Sequence, residues 1–302
     1  ENDTFVKDLS NYGNDGVVIG GAIFNSTGRH NGAFNFDGVN DYIDLKNSSI
    51  LRFGSGDFSY EAWIKTSAPS LSNLRLISDD KNLQNHRALS FVPGTDVAQF
   101  WCRDSSNNLV NPSGGIAVND GNWHHIVGSR GGQTGYLYVD GLLVSSMTNN
   151  TLGSCDGDAR TYIAARDGAS PNLFFNGSID EVKIWNKKLS ADEVKEHYYS
   201  NLYKYNQSQW YLYVNQSNLT FENYLYFACA KDNSRENCTE TRFITVGDAT
   251  IPLINYSSKT ALDGAIVARD WIFIEVDIIE ENIKNISFNL YNSSKNLINL
   301  VS

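Results

Sequence analysis

In FSYEAWIKT (58–66) apolar and polar side chains alternate, and the same period of two returns in WHHIVGS (123–129) and GYLYVDGLLVSS (135–146). Successive strand residues point to opposite faces, so this rhythm predicts half-buried strands. Asp140-Gly141 falls between two such runs and is a favoured two-residue hairpin turn. VAQFWCR (97–103) and TYIAAR (161–166) add two more strands. Short strands with turn residues between them predict a β-sandwich over residues 1–200. The block closes on LSADEVKEHYY, a short helix with Ser190 as N-cap and Glu193 three residues on to complete a capping box.

The texture then changes. Residues 201–248 carry QWYLYVN, NYLYFACAKD and TRFITV, three strands rich in Tyr and Phe, and residues 249–302 carry PLINYSS, DWIFIEVDI, NISFNLYN and NLINLV. Each segment has about half the length of an immunoglobulin-sized sandwich, so they are either halves of one domain or two dependent units, with Pro252 at a linker position.

Composition narrows the function. The chain has 24 basic and 34 acidic residues, a net charge of −10, and lacks a Lys/Arg cluster, which argues against nucleic acid as a partner. No apolar run reaches the length of a transmembrane helix, and the polar opening ENDTFVKDLS does not read as a signal peptide. The 35 Asn and 45 Ser plus Thr would give roughly five N-x-S/T sequons by chance. There are 12, at Asn2, Asn25, Asn47, Asn149, Asn176, Asn206, Asn215, Asn218, Asn237, Asn255, Asn285 and Asn292. The excess predicts an extracellular, glycosylated surface protein, with Asn176 the weaker site because it lies in a turn. Four cysteines fit that compartment: Cys229 and Cys238 have the spacing of a hairpin staple, leaving Cys102 and Cys155 to pair. Three pairings remain open from sequence. No CxxC or HxxxH spacing supports zinc or haem.

Five segments in order carry a family resemblance: DLSNYGNDGVV, GAFNFDGVNDYIDL, DFSYEAWIKT, GNWHHIVGSRGGQTGYLYVDGLLV and FFNGSIDEVKIWNKKLSADEVKEHY. Residues 1–200 resemble the laminin G-like, concanavalin A-like lectin/glucanase family. The resemblance implies an all-β jelly roll of two packed antiparallel sheets. NYLYFACAKDNSRENCTETRFITV is similar to the immunoglobulin-like repeats of archaeal and bacterial surface proteins, and the segment from Ile251 begins the same way. The expected fold is therefore a jelly-roll sandwich (1–200) followed by immunoglobulin-like β-sandwich segments (201–248 and 249–302). Relative to these families the chain opens inside a first strand and stops before a matching last one, which implies a longer polypeptide.

The resemblance also implies a structural calcium ion joining the N-terminal loop, the FDG turn and the IDE strand, with Asp37 and Asp180, then Asn14 and Asp41, as ligands. Turn carboxylates and amides suit calcium's six to eight oxygens; they equally bond their own turns. The fold also hosts glucanases, whose paired carboxylates lie on one strand. The nearest spacing, Glu275-Val-Asp277-Ile-Ile-Glu280, falls in the tail, and Asp180-Glu181 are adjacent, so no enzyme is expected. Trp63 and Trp123 match core positions of the family, and of His124 and His125 one should point inward. Trp101, Arg103, Arg87 and Arg166, with His86, form a candidate ligand-binding set, since Trp101 and Arg103 share a strand face and DDKNLQNHR (79–87) would form a rim loop. The leading expectation is a non-enzymatic cell-surface module that binds glycans or surface proteins in adhesion. The alternatives are a structural subunit that assembles with copies of itself in a surface layer, sheath or filament, and an auxiliary module of a glycosidase.

Overall fold

The computed structural model of the chain describes residues 3–30, 32–69, 74–80, 85–157, 160–167, 170–204, 209–216, 219–220, 222–231, 235–246, 265–267, 272–279, 285–292 and 294–301. The sequons at Asn2, Asn206, Asn218 and Asn255, Pro252, Glu280 and rim-loop residues 81–84 lie outside the described residues. The chain divides into two units, Glu1–Val194 and Lys195–Ser302.

The first unit is a jelly-roll β-sandwich of two antiparallel sheets. In the seven-stranded sheet the order is Leu142–Thr148, Thr134–Val139, Trp123–Gly131, Phe58–Lys65, Asn176–Trp185, Ala33–Asp37 and Ile23–Asn25. The nine-stranded sheet runs Phe5–Val6, Gly16–Ile19, Tyr42–Asp44, Tyr162–Ile163, Arg75–Ser78, His86–Phe91, Ala98–Arg103 and Leu109–Val110, with Ser113–Gly114 also on Ala98–Arg103. Alternation fixes the inner faces: Phe58, Tyr60, Ala62 and Ile64 on one sheet share a buried core with Leu89, Phe91, Phe100 and Cys102 of the other. Phe58 lies 5.3 Å from Phe53 and 5.7 Å from Phe100, ring centre to ring centre. Phe100 also fills the space a side chain would need at Gly128, where an added Cβ would sit 2.3 Å from its ring.

Asp140 and Gly141 both take positive φ (51° and 78°), as a hairpin turn of this kind requires. Ser190 and Glu193 exchange backbone-to-side-chain hydrogen bonds (2.8 and 3.2 Å) at the start of helix Ala191–Tyr199. The strand Phe58–Lys65 departs from the half-buried expectation, because Ser59, Glu61 and Trp63 on its outer face are buried as well. Leu189 donates its N–H to Ser59, and the 28–30 segment reaches over Trp63, so this face is covered.

Both cysteine pairs are disulfides, Cys102–Cys155 across 53 positions and Cys229–Cys238 across 9. In the second unit, Gln209–Gln216 lies between Ser200–Lys204 and Ile272–Ile279, and Asn223–Lys231 pairs with both Arg242–Val246 and Asn285–Asn292. Each of its two sheets thus combines strands from 201–248 with strands from 249–302. Glu275 and Asp277 sit on Ile272–Ile279, opposite Tyr213 and Tyr211.

Candidate functional site

Registry across the nine-stranded sheet lines up one row of outward-facing residues: Asp44, Tyr162, Ser78, Ala88 and Trp101. Their chain neighbours Ile43, Ile163, Ile77, Leu89 and Phe100 all point into the core, which fixes the parity. Ser78 and Ala88 form a small-residue floor between Tyr162 and Trp101, three strand spacings or about 14 Å apart. On the Tyr162 side, Tyr42 lies 4.8 Å from Tyr162 and 6.2 Å from Phe174, and Arg160 Nε bonds Asp44 at 3.1 Å.

On the Trp101 side the chemistry is cationic. His86 is opposite Arg103 in register, and its ring lies 5.8 Å from Trp101. The carboxylate of Asp80, fully buried, accepts Arg75 Nη2 at 3.0 Å and lies 3.1 Å from Arg166 Nε as an ion pair, while that Nε donates to the Asp80 backbone carbonyl at 3.3 Å. Burial pushes the Asp80 carboxyl up, but His86, Arg75 and Arg166 together outweigh it and hold the group below its ordinary value. Burial also lowers Arg75, against the pull of Asp80. Trp101 and Arg103 are partly exposed, and the Arg166 side chain keeps 18% of its surface in solvent. The Trp101 indole N–H is buried with no hydrogen-bond partner.

The structure therefore gathers Trp101, Arg103, Arg166 and His86 and adds Arg75 and Asp80. It excludes Arg87 from the set. Arg87 faces the other way, opposite Cys102, with its guanidinium 4.9 Å and 5.1 Å from the Phe53 and Phe58 ring centres. There it donates to Asp79 (Nε to Oδ2, 2.7 Å) and the Leu51 carbonyl (2.9 Å) and lies 2.9 Å from Asp156 as an ion pair, and the Asp79 charge holds it in its protonated form. Arg87 is a core residue whose position next to His86 in sequence hides its opposite direction. Arg75 and Asp80 escaped sequence reasoning because the register shift between Arg75 and Ile77 breaks simple alternation.

The four expected calcium ligands do not form one site. Asp37 and Asp41 share a turn in which Asp37 Oδ1 accepts Val39 N–H (2.7 Å) and Asp41 Oδ2 accepts Asp37 N–H (3.0 Å). Asn14 accepts the Ser48 hydroxyl at 2.7 Å. Asp37 pairs with Asn176, so Asp180 lies four residues farther along that strand, about 13 Å away, too far to share an ion bound at about 2.4 Å. Among the described residues, one group of three His, Cys, Asp or Glu has converging ligand atoms, Cys229, Glu236 and Cys238, and its two sulfurs are disulfide-bonded.

Asp180 belongs instead to a polar cluster on the outer face of the seven-stranded sheet. Its carboxylate accepts the N–H groups of His30 (2.9 Å) and Glu181 (2.7 Å). Burial, then the Glu181 charge, push it up to about 7, while burial and the Arg29 and Lys183 charges push His30 down to about 3. A bulge between Asp180 and Lys183, with Glu181 at φ 49°, returns Lys183 to the same face, opposite the buried Glu61. Glu61 accepts from His125 (3.1 Å) and the Trp185 indole (2.9 Å). Trp63 is buried beside His125 (5.0 Å) and under Arg29 (4.3 Å), on this outer face and outside the inter-sheet core; Trp123 is partly buried. His124 takes the other face and bonds Asp140 and Asp120.

Among the sequons, Asn47, Asn176 and Asn237 are exposed, and Asn25, Asn149, Asn215 and Asn292 are partly buried. The Asn149 amide nitrogen donates to the Leu109 carbonyl, a bond a glycan would remove. For Asn285 the structure describes the strand position. No described helix is long and apolar enough to cross a membrane.

The binding domain of Paraclostridial Mosquitocidal Protein 1 is similar in structure, with a TM-score of 0.56 and 17% identity over 78% of this chain. The chain spans 59% of that domain's length. The receptor binding domain of the botulinum neurotoxin C/D mosaic serotype matches with a TM-score of 0.51 and 14% identity over 77% of this chain and 69% of its own. No curated protein sequence matches the chain. The sequence profile of the concanavalin A-like lectin/glucanases superfamily matches residues 37–195, from the end of strand Ala33–Asp37 into helix Ala191–Tyr199, and the chain belongs to that family.

Proposed function

We propose that the first unit is a non-catalytic, extracellular recognition module that binds glycans or surface proteins in adhesion. The observation that carries this reading is the outer face of the nine-stranded sheet. There an aromatic side chain, Trp101, is bracketed by hydrogen-bonding groups from three neighbouring strands and Arg166. An aromatic plane ringed by fixed polar groups is the general design of a small-ligand site. Two similar folds are binding domains by name, one of a mosquitocidal protein and one that binds a receptor, which supports the same class of role. The second unit reads as an immunoglobulin-like support: Tyr224 Oη donates to the Thr220 carbonyl at 3.0 Å, as the tyrosine corner of such sandwiches does.

A glycan array probed with the full chain and with Trp101→Ala tests the reading. Saturable binding lost in Trp101→Ala, with an unchanged thermal midpoint, is the expected result. Binding that is indifferent to Trp101 would move the site elsewhere. The second reading, a subunit of a surface assembly, draws on the edge strand Leu142–Thr148, which exposes Leu142, Leu143 and Met147. Sedimentation of the purified chain at micromolar concentration separates the two, since a free module stays a single small species.

A further inference from the structure

We infer that the first unit pairs with a second copy of this chain along one edge of its sandwich, formed by the strand Leu142–Thr148 and the stretch stitched beside it. The inference goes beyond the recognition role and does not depend on it.

The edge is marked by its lack of charge. Charged residues make up 19% of the chain, so thirty residues should carry about six. Residues 105–119 and 141–155, fifteen in each stretch, carry none. Aspartates bound both stretches, Asp104 and Asp120 the first, Asp140 and Asp156 the second. Folding joins the two. Asn108 Nδ2 donates to the Thr151 carbonyl (3.1 Å), and the Thr151 hydroxyl donates to Asn108 Oδ1 (2.8 Å). The Asn149 amide nitrogen donates to the Leu109 carbonyl (3.2 Å), and the Asn111 N–H donates to Met147 Sδ (3.4 Å). Together they form one surface, and on it Ile116, Leu142, Leu143 and Met147 expose between 39% and 67% of their areas.

The backbone of this edge suits another strand. Leu142–Thr148 ends the seven-stranded sheet, and no described strand pairs with its outer side. A register shift bends its first half, while Ser145–Thr148 continues as a regular ladder on Thr134–Leu137. Alternate residues of an end strand turn their N–H and C=O groups away from the sheet. Lysine or proline commonly guards such an edge, and this strand has neither.

Neutrality identifies the occupant. A two-fold pair sets one patch against itself, so any charge in it faces its own like across the axis. A different protein could answer a charged patch with the opposite charge. A copy cannot, so self-pairing favours a patch without charge. The demand is stronger because each chain carries −10 and two copies repel elsewhere. Exposed Leu, Ile and Met with Ser, Thr and Asn around them fit the apolar centre and polar rim of a protein contact. An isologous contact of this kind closes at two chains, unlike a growing surface assembly.

The test is sedimentation equilibrium of the purified full chain over micromolar to millimolar concentration. A reversible doubling of mass, with no larger species, is the expected result. Leu143→Lys and Ser146→Lys, both at exposed positions, should each weaken pairing at least about 10-fold, because like charges then meet across the axis. Ser146→Lys mixed with Ser146→Asp should restore pairing, which a merely misfolded variant would not do. Ile23→Lys, on the strand that ends the other side of the sheet, should leave pairing unchanged. Unfolding midpoints check every variant, and one lysine variant suffices if the other fails to fold. A chain that stays single at every concentration overturns the inference, as does a dimer that survives both Leu143→Lys and Ser146→Lys. Mass that grows past two chains overturns the closed pair. Pairing seen only after enzymatic removal of N-glycans would give this edge to a sugar on Asn149 and overturn it as well. Glycan binding through Trp101 is read separately on the array, so the recognition role stands or falls on its own result.

Discussion

Replacing Arg87 by Met should destabilise the chain far more than a surface substitution, and the loss should be recovered by removing Asp79 as well. Asp79 is fully buried, and Arg87 reaches it through its guanidinium and its own backbone N–H, which donates to Asp79 Oδ1 at 2.7 Å. Without Arg87 the carboxylate keeps the backbone bond and Arg52 at 3.9 Å, neither of which replaces a direct ion pair. Breaking a buried pair from one side costs about 3–5 kcal/mol, because an uncompensated charge stays behind. For a unit of this size that lowers the melting midpoint by about 6–20 °C. Methionine fills much of the vacated space beside Phe53 and Phe58, so the deficit reports charge more than cavity. Asp156 at the other end of the guanidinium is partly exposed and can return to water. The double variant Arg87→Met/Asp79→Leu should therefore lie within about 1–2 kcal/mol of wild type, since a buried pair replaced by apolar groups of similar size is often neutral. Urea unfolding of the wild type, both single variants and the double variant measures the coupling. A double variant as unstable as the sum of the singles would refute the argument, as would Arg87→Met with near-wild-type stability and lost ligand binding.

Further predictions concern other links of the chain. In chelator-treated buffer, wild-type stability should show a component that falls as pH rises from about 4 to about 7, because folded Asp180 keeps its proton up to about 7 while the unfolded group releases it near 3.8. That gap is on the order of 4 kcal/mol, and Asp180→Asn should remove it from the stability–pH curve; an unchanged curve would place the carboxylate in its ordinary range. Loop entropy makes the two disulfides unequal: closing 53 positions contributes about 4 kcal/mol and closing 9 about 3 kcal/mol, so Cys102→Ser/Cys155→Ser should unfold at lower urea than Cys229→Ser/Cys238→Ser once each loss is referred to its own unit's transition. Gly128→Ala should cost about 1–3 kcal/mol or more by driving a methyl group into the Phe100 ring, and Gly128→Ala/Phe100→Leu should regain part of it.

Several alternating strands, the Asp140-Gly141 turn and the Ser190–Glu193 cap were legible in the sequence because each depends on a few neighbouring residues. Alternation also placed Trp101 and Arg103 on one face, since their strand is regular there. What local pattern left open is which face of a strand looks inward once both faces are buried. Ser59, Glu61 and Trp63 alternate with Phe58, Tyr60 and Ile64 as a half-exposed strand would, yet all are covered, and only the packing of 28–30 and Leu189 above them decides it. Arg87 was misplaced for the same reason: the charge that lets it turn inward, Asp79, sits at the end of another strand. The FDG turn and the IDE strand stand side by side in a family pattern, but the ladder from Asn176 to Asp180 sets about 13 Å between their acids. Asp80, which gathers Arg75 and Arg166 beneath Trp101, had no signature of its own. The sequence by itself determined the sandwich and its turns, because these rest on short-range periodicity. Tertiary structure alone decided which charges meet, because registry, bulges and covering loops bring together residues that no spacing connects.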